Sequence, residues 1–134
     1  MKIQLKFEIK PMAKQSFRTT RTGNKYLDAS VIKYRKAIRN MAIAQMRNQK
    51  AEKIEGAVNM NIIFAFRRPK SLSKKERTVP KTTKPDIDNL TKAILDALNG
   101  IAWKDDAQVT QINVHKIWSA KDQIEIEIWE IENK

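Results

Sequence analysis

Apolar and polar residues alternate along four separate segments of the sequence, a period of two that is typical of half-buried β-strands. The pattern predicts strands at Met1–Glu8, Val58–Phe66, Gln108–Trp118 and Gln123–Ile131. Two intervening segments instead repeat their apolar residues about every 3.6 positions, as amphipathic helices do. Strand and helix patterns in this order restrict the chain to a sheet with helices packed against it.

Asp28 and Ser30 are both candidate N-caps for the first helix, which is predicted to run to about Gln49. One further helical turn is predicted at Ser71–Arg77, because the run SLSKKER begins with a serine that can cap it.

The second helix is predicted to start at Asp88 or Asn89 and to end at Asn99-Gly100, a pair typical of helix C-termini. The resulting order, β-α-β-α-β-β, predicts an α+β fold, with two main helices packed against a small mixed β-sheet. The 134 residues suit a single domain, 1–134.

Several function classes are excluded by composition. Cysteine is absent and His115 is the single histidine, which rules out thiolate zinc sites, disulfide scaffolds and Cys–His nucleophile pairs. The three glycines lie 33 and 44 residues apart, so they cannot form a glycine-rich loop for a nucleotide cofactor. The longest apolar stretch, Ile62–Phe66, is far shorter than the roughly 20 residues of a membrane helix. We therefore expect no nucleotide cofactor, no membrane association and a cytoplasmic location.

Positive charge is concentrated in the first part of the chain. Residues 1–84 hold 22 basic and 5 acidic residues, whereas residues 85–134 hold 5 basic and 10 acidic ones. Basic residues cluster in two segments that are predicted to be loops, Lys10–Lys25 and Arg67–Lys84. This distribution favours a polyanionic partner, and nucleic acid is the usual one. The alternative interpretation is a solvated, highly soluble surface.

We expect nucleic acid to contact these two segments. A phenylalanine in the first of them, Phe17, is a candidate for stacking on bases or wedging between them. The candidate contact residues are Lys14, Phe17, Arg18, Arg21, Lys25, Arg67, Arg68, Lys70, Lys74, Lys75, Lys81 and Lys84.

An acidic cluster interrupts the basic chain at Lys84–Val109. Asp86 and Asp88 are separated by one residue, so both carboxylates point the same way in an extended lead-in to the second helix. Asp105 and Asp106 follow a short connection after that helix. If the fold brings this connection back beside the helix start, three carboxylates converge and offer the oxygen ligands that Mg²⁺ prefers.

Each of these acidic features also has a purely structural interpretation. The first aspartate pair could cap the helix and complement its dipole, and the second could form a polar turn. Lys92 and Asp96, four residues apart, could be a surface pair on the helix. Composition and spacing thus leave two function classes open, a metal-dependent nuclease and a non-catalytic basic DNA- or RNA-binding protein.

Three motifs in this segment resemble the signature of the RusA family of Holliday junction resolvases, which are common in phages and prophages. In order, the motifs are Pro85-Asp86-Ile87-Asp88-Asn89 with Lys92-Ala93, then Leu95-Asp96-Ala97-Leu98, then Trp103-Lys104-Asp105-Asp106-Ala107-Gln108-Val109. Weaker agreement with the family extends over nearly the whole chain.

This resemblance implies a Mg²⁺-dependent homodimer, with Mn²⁺ as a substitute ion, that nicks four-way DNA junctions symmetrically in DNA recombination and repair. By position, it implies that Asp86, Asp88 and Asp106 bind the metal, with Asp105 the second choice for the third ligand. A symmetric dimer would supply the two sites that a two-fold junction needs, and any bare edge strand is a candidate for its interface.

The same resemblance assigns roles to three residues of the second helix. It implies that Lys92 is the essential catalytic cation. Asn89 and Asp96 are expected to be supporting residues, the first holding the helix start and the second fixing Lys92 from one turn on.

Overall fold

The structure, a computed structural model, describes residues 2–13, 18–23, 25–26, 28–72 and 79–131. In chain order its elements are β1 (Lys2–Phe7), β2 (Arg18–Thr19), β3 (Lys25–Tyr26), α1 (Ala29–Gln49), β4 (Ala57–Arg67), β5 (Val79–Pro80), α2 (Ile87–Leu98), a 3₁₀ turn (Asp106–Gln108), β6 (Val109–Ser119) and β7 (Gln123–Ile131). The predicted α+β class and mixed sheet are confirmed.

Five strands form one sheet in the order β1-β7-β4-β6-β5. The central strand, β4, runs antiparallel to β7 and parallel to β6, while β2 and β3 form a separate antiparallel pair. A hairpin cannot join parallel strands, so the chain between β4 and β6 crosses over through α2.

The core lies between one face of the sheet and the two helices. Alternate side chains of β1, β4 and β7 point into it, including Phe7, Phe64 and Ile128, none of which has exposed surface. Ile38 of α1 and Ile94 of α2 are equally buried on the opposite side of this layer. Burial of each such side chain contributes about 1.5–3 kcal/mol, which is what holds the helices on the sheet.

The four predicted strands are confirmed with small shifts at their ends. One correction concerns Gln108, which was expected to begin a strand and instead ends the 3₁₀ turn, where Gln108 N donates to Asp105 O. The short strands β2, β3 and β5 were not predicted, because two residues are too few to show an alternating pattern.

Both predicted main helices are confirmed. Asp28 rather than Ser30 caps α1, since Asp28 Oδ1 accepts a 2.8 Å hydrogen bond from Ser30 N. Helix α2 begins at Ile87, slightly earlier than predicted, with Asp86 in the N-cap position. The expected end at Asn99-Gly100 is confirmed by the positive φ of Gly100, 82°.

Part of the predicted helical turn Ser71–Arg77, residues 73–77, lies outside the described residues. Just before it, Leu72 N donates to Pro69 O in a turn. Within the described part of the chain, no helix has the length and apolar content needed to cross a membrane.

The outer edge of β1 is closed by two glutamines of α1. Gln49 Oε1 accepts from Gln4 N at 3.0 Å, and Gln49 Nε2 donates to Gln4 O at 2.5 Å. Gln45 makes the same pair of bonds with Lys6, at 2.8 and 2.7 Å. The side-chain amides thus occupy backbone groups with which another strand would otherwise pair.

We predict that the double variant Gln45→Ala, Gln49→Ala lowers the free energy of unfolding by about 1–3 kcal/mol, because four edge hydrogen bonds are exchanged for bonds to water. Urea unfolding followed by circular dichroism measures this difference. Lys36→Ala, an exposed change on the same helix, is the control and should be close to neutral. A double variant as stable as this control would show that the glutamines do not stabilise the edge.

Candidate active site and nucleic-acid interface

Lys116 of β6 anchors the connection that leads into α2. Its Nζ donates to Thr83 O at 2.6 Å and to Pro85 O at 2.7 Å. The backbone strengthens this anchor, because Lys81 N donates to Lys116 O at 3.0 Å. These bonds place the start of α2, and therefore Asp86, beside the C-terminal end of β6.

Asp86 and Asp88 are both exposed at the N-terminal end of α2. Asp86 has the extended backbone of an N-cap residue, but its side chain makes no capping hydrogen bond. Its Oδ2 instead lies 3.2 Å from Lys84 Nζ. The carboxylates are therefore presented to solvent at a helix end where the dipole favours negative charge.

Lys81 lies between two aromatic rings. Its Nζ is 4.1 Å from the ring centre of Trp118 and 5.2 Å from that of Phe66, distances at which a cation is attracted to a ring face. The side chain is only 7% exposed, and Nζ also donates to Thr83 Oγ1. Within the described residues no carboxylate forms a salt bridge with it. Lys81 is thus a buried cation without an anionic partner there.

Burial lowers the pKa of the Lys81 ammonium, and the positive charges of Lys116 and Lys10 lower it further. The attraction to the two rings opposes these effects. An anion placed beside Lys81 would therefore stabilise its charged form.

A groove of about 770 Å³ joins Lys81 to Asp86. Its positively charged lining residues are Lys10, Arg67, Arg68, Lys81 and Lys84. Asp86 and Asp122 are the acidic residues of the lining, and Asp122 Oδ1 already accepts a hydrogen bond from Arg67 N at 2.9 Å. The groove is therefore net positive and suited to phosphate groups, with Asp86 in its wall.

The predicted DNA-contact residues fall into three groups. Four line the groove: Arg67, Arg68, Lys81 and Lys84. Arg21, in the β2–β3 turn, and Lys70 are exposed elsewhere. The remaining predicted contacts concern residues or side chains outside the described part of the structure: Lys14, Phe17, Lys74 and Lys75 altogether, and the side chains of Arg18 and Lys25.

The second aspartate pair lies in the 3₁₀ turn before β6. Asp105 caps the turn, with Oδ1 accepting from Ala107 N at 3.2 Å, and Gln108 Oε1 accepts from Asp105 N. Asp106 is half-buried, and its Oδ1 accepts a 2.8 Å hydrogen bond from the indole Nε1 of Trp103. Trp103 is fully buried beside Asn99, so this turn sits at the C-terminal end of α2.

The structure does not bring the two aspartate pairs together in one chain. Asp86 lies at the start of α2 and Asp106 beyond its end, and a helix of 12 residues is about 18 Å long. Among the described residues, no three histidine, aspartate or glutamate side chains are grouped closely enough to hold a metal ion. The expected set of three ligands thus does not fit a metal centre within a single chain.

The supporting residues are distributed along α2. Asn89 is half-buried and lines the groove together with Asp86. Lys92 is exposed one turn after Asp88, and Asp96 is half-buried a further turn along. Of the residues Asn89, Lys92 and Asp96, Asn89 therefore lines the same groove as the basic residues.

Sequence reasoning missed Lys116, Lys10, Trp118 and Phe66 as contributors to the site. The alternating pattern of a strand predicts that Lys116 faces solvent and that the two aromatic residues belong to the core. Only the pairing of β5 with β6 brings Lys81 over both rings. Lys10 lies in a basic segment and could have been included on that ground.

Comparison with known proteins gives a consistent result. The family described as Endodeoxyribonuclease RusA matches residues 7–129. The chain is 37% identical over 86 residues to the uncharacterized protein YqaN of Bacillus subtilis (strain 168), covering 58% of this chain and 61% of YqaN. It is 38% identical over 52 residues to the crossover junction endodeoxyribonuclease rusA of Lactococcus phage r1t, covering 38% of this chain and 40% of the phage protein. The matched region therefore spans less than two thirds of either relative.

We predict that Lys81→Met leaves the free energy of unfolding at pH 7 equal to or above the wild-type value, because methionine keeps the packing between the rings and removes a buried charge. Since folding lowers the pKa of Lys81 from its ordinary value of 10.5, the charge destabilises the wild type below the folded-state pKa. This destabilisation disappears as the pH rises from the folded-state pKa to the ordinary value of 10.5, because Lys81 then loses its charge. Any excess in the variant's free energy of unfolding over that of the wild type therefore shrinks in this pH range. Urea unfolding at pH 7 and near pH 10 measures both effects, and a strongly destabilised variant at pH 7 would contradict them.

Proposed function

Because the chain belongs to the RusA endodeoxyribonuclease family, we propose that it is a metal-dependent endodeoxyribonuclease that nicks four-way DNA junctions in recombination and repair. The observation that carries this proposal is the position of Asp86 in the wall of a groove lined with basic side chains. The name of the phage relative, a crossover junction endodeoxyribonuclease, supplies the substrate class.

The basic lining of the groove is proposed to hold the DNA backbone. Arg67 ends β4 and Arg68 follows it, while Lys81 and Lys84 follow β5, so the groove is charged on both sides. Each phosphate that these cations neutralise releases condensed counterions, which favours binding at low salt. A backbone strand along the groove passes Asp86 at the start of α2.

Exposed carboxylates alone repel the phosphate that they must approach, so we propose that a cation accompanies them. Mg²⁺ is the proposed ion, with Mn²⁺ as a substitute, because Asp86 and Asp88 offer hard oxygen ligands. When bound, such an ion neutralises charge on the phosphate and activates water. Asp106 is the proposed third ligand, with Asp105 the second choice, and one chain by itself presents only the first pair.

Lys92 is the proposed catalytic cation. It lies one helical turn after Asp88 and is exposed, so its flexible side chain reaches toward the same end of α2. An ammonium group there stabilises the negative charge that develops on a phosphate under attack. Asn89 and Asp96 are proposed to support the helix start and Lys92, respectively.

A second candidate function is nucleic-acid binding without cleavage. It is favoured by the absence, among the described residues, of any three acidic or histidine side chains grouped to hold a metal. In that case the basic groove would bind DNA or RNA and the aspartates would serve only the helix and the turn. Cleavage assays separate the two functions.

We predict that the protein nicks a labelled synthetic four-way junction in Mg²⁺ and leaves it intact in EDTA. A linear duplex of the same sequence should remain uncut in both conditions, because it lacks the branch point. Denaturing gel electrophoresis reads out the nicks. Tight junction binding without nicks in either condition would favour the non-catalytic function.

We also predict that Asp86→Asn and Asp88→Asn each lower the cleavage rate by at least about 100-fold, while junction affinity stays equal or rises because a negative charge is lost. Asparagine is an equally good N-cap residue, so folding should be preserved. Asp28→Asn, the same change at the N-cap of α1, is the matched control and should cleave normally. Loss of binding and folding together would contradict the catalytic role.

The groove itself can be tested by the salt dependence of binding. Lys81→Met should weaken junction binding and reduce the slope of log affinity against log salt by about one, the value for one lost phosphate contact. Lys36→Met, on the exposed side of α1, should leave the slope unchanged. Fluorescence anisotropy over a salt series measures both, and an unchanged slope for Lys81→Met would remove the groove from the interface.

A further inference from the structure

Lys116 occupies an unusual position for a charged residue. It is half-buried on the core-facing side of β6, between Val114 and Trp118 and opposite Phe64 of β4. Among the described residues no carboxylate forms a salt bridge with it. A partly buried ammonium without an acidic partner destabilises a fold unless hydrogen bonds satisfy it. The bonds that Lys116 makes therefore indicate what a cation does at this position.

The Lys116 ammonium binds two backbone carbonyl groups of the connection between β5 and α2. Its Nζ donates to Thr83 O at 2.6 Å and to Pro85 O at 2.7 Å. Hydrogen bonds from a charged donor are roughly twice as strong as those between neutral groups. The backbone bond from Lys81 N to Lys116 O holds the chain at the start of the same connection. The Lys116 side chain therefore controls the position of the residues that lead directly to Asp86.

Lys116 supports this connection from the side opposite the groove. Lys84, Pro85 and Asp86 line the groove, whereas Lys116 is not among the described residues that line it. Its ammonium thus lies behind the backbone that forms this part of the groove wall. This placement gives Lys116 no direct contact with a strand held in the groove, so its effect on such a strand passes through the connection.

The same two hydrogen bonds set the direction of two amide groups. The peptide bonds that follow Thr83 and Pro85 are trans, and in a trans peptide the C=O and the next N–H point in opposite directions. The N–H groups of Lys84 and Asp86 therefore point away from Lys116, toward the groove. Neither N–H donates to a backbone carbonyl among the described residues. Fixed N–H donors of this kind stabilise the negative charge that develops on a reacting phosphate.

We propose that Lys116 is a positioning residue for the cleavage reaction. From behind the connection it holds the Asp86 carboxylate in the wall of the groove, and it keeps the N–H groups of Lys84 and Asp86 directed at the phosphate of a strand that lies there. The proposal rests on the proposed function, because it assigns Lys116 a part in that reaction. Lys81, by contrast, acts on the DNA through its own ammonium.

The variant Lys116→Met tests this role, because methionine keeps an unbranched side chain against the core and removes both hydrogen bonds. The single-turnover cleavage rate at saturating four-way junction in Mg²⁺ should fall at least about tenfold, since small displacements of reacting groups slow a reaction strongly. Junction affinity in EDTA, and the slope of log affinity against log salt, should stay close to the wild-type values because Lys116 contacts no phosphate. Gel-based cleavage and fluorescence anisotropy measure the two quantities.

Lys81→Met is the matched control, since it removes a neighbouring ammonium and leaves both bonds from Lys116 to the connection intact. It should show the converse pattern, a weaker affinity and a smaller salt slope with a saturating cleavage rate within about threefold of the wild type. Lys116→Arg restores a cation with several N–H donors and should cleave at least about threefold faster than Lys116→Met. A Lys116→Met variant that cleaves like the wild type, or that loses affinity and salt slope instead of rate, would overturn the proposal.

Amide hydrogen exchange, followed by NMR without DNA or metal, gives a readout that does not depend on cleavage. The N–H of Leu90 donates to Asp86 O and that of Lys81 to Lys116 O, so these two amides report on both ends of the connection. In Lys116→Met both should exchange at least about threefold faster. The N–H of Ile54, which donates to Ala102 O elsewhere in the fold, should exchange as in the wild type.

The exchange rates also separate this proposal from the proposed function. Faster exchange at Ile54 as well as at Leu90 and Lys81 would show a general loss of stability and overturn the positioning role. Unchanged exchange at Leu90 and Lys81, with an active wild type, would overturn the positioning role alone. A wild type that does not cleave the junction would instead remove the proposed function, and with it any part of Lys116 in the reaction.

Discussion

The parallel pairing of β4 with β6 is the constraint on which the rest of the structure depends. Nine consecutive residues of each strand pair in one register, residues 59–67 with 111–119, so the intervening chain must return along the sheet before β6 can begin. Helix α2 makes that return, and its two ends therefore lie at opposite ends of β6. The four candidate metal ligands are attached to those two ends: Asp86 and Asp88 at the start, Asp105 and Asp106 beyond the finish.

The basic part of the site contains a buried charge that destabilises the folded protein, which a purely structural arrangement would avoid. Lys81 is buried between Phe66 and Trp118, and its pKa is lowered by that burial and by neighbouring lysines. A methionine would fill the same space without placing a charge there. Lys116, which also contributes to this cost, is the residue that holds the α2 connection in place. The site thus concentrates positive charge at a place where a bound phosphate would offset the repulsion between the cations.

The two edges of the sheet differ in how they are covered. Two side-chain amides from α1 cover the edge of β1, which would otherwise attract another strand. The edge of β6 has no such cover over residues 109–115 among the described parts of the structure.

Local patterns in the sequence determined much of the fold and the chemistry of the candidate site. The four main strands and two helices followed from the periods of 2 and 3.6, because those periods reflect which side chains face the core. The resemblance to the family motifs singled out Asp86, Asp88, Lys92 and Asp106 as candidates, and charge clustering singled out Arg67, Arg68, Lys81 and Lys84. These patterns did not determine where the elements and the candidate residues lie relative to one another.

Only the tertiary structure decided that the two aspartate pairs are separated by the length of α2, and that Lys81 meets Trp118 across β5 and β6. It likewise decided which edge of the sheet stays open. The reason is physical: periodicity and capping are properties of neighbouring residues, whereas strand order and the direction of a crossover depend on pairings between residues some 50 positions apart.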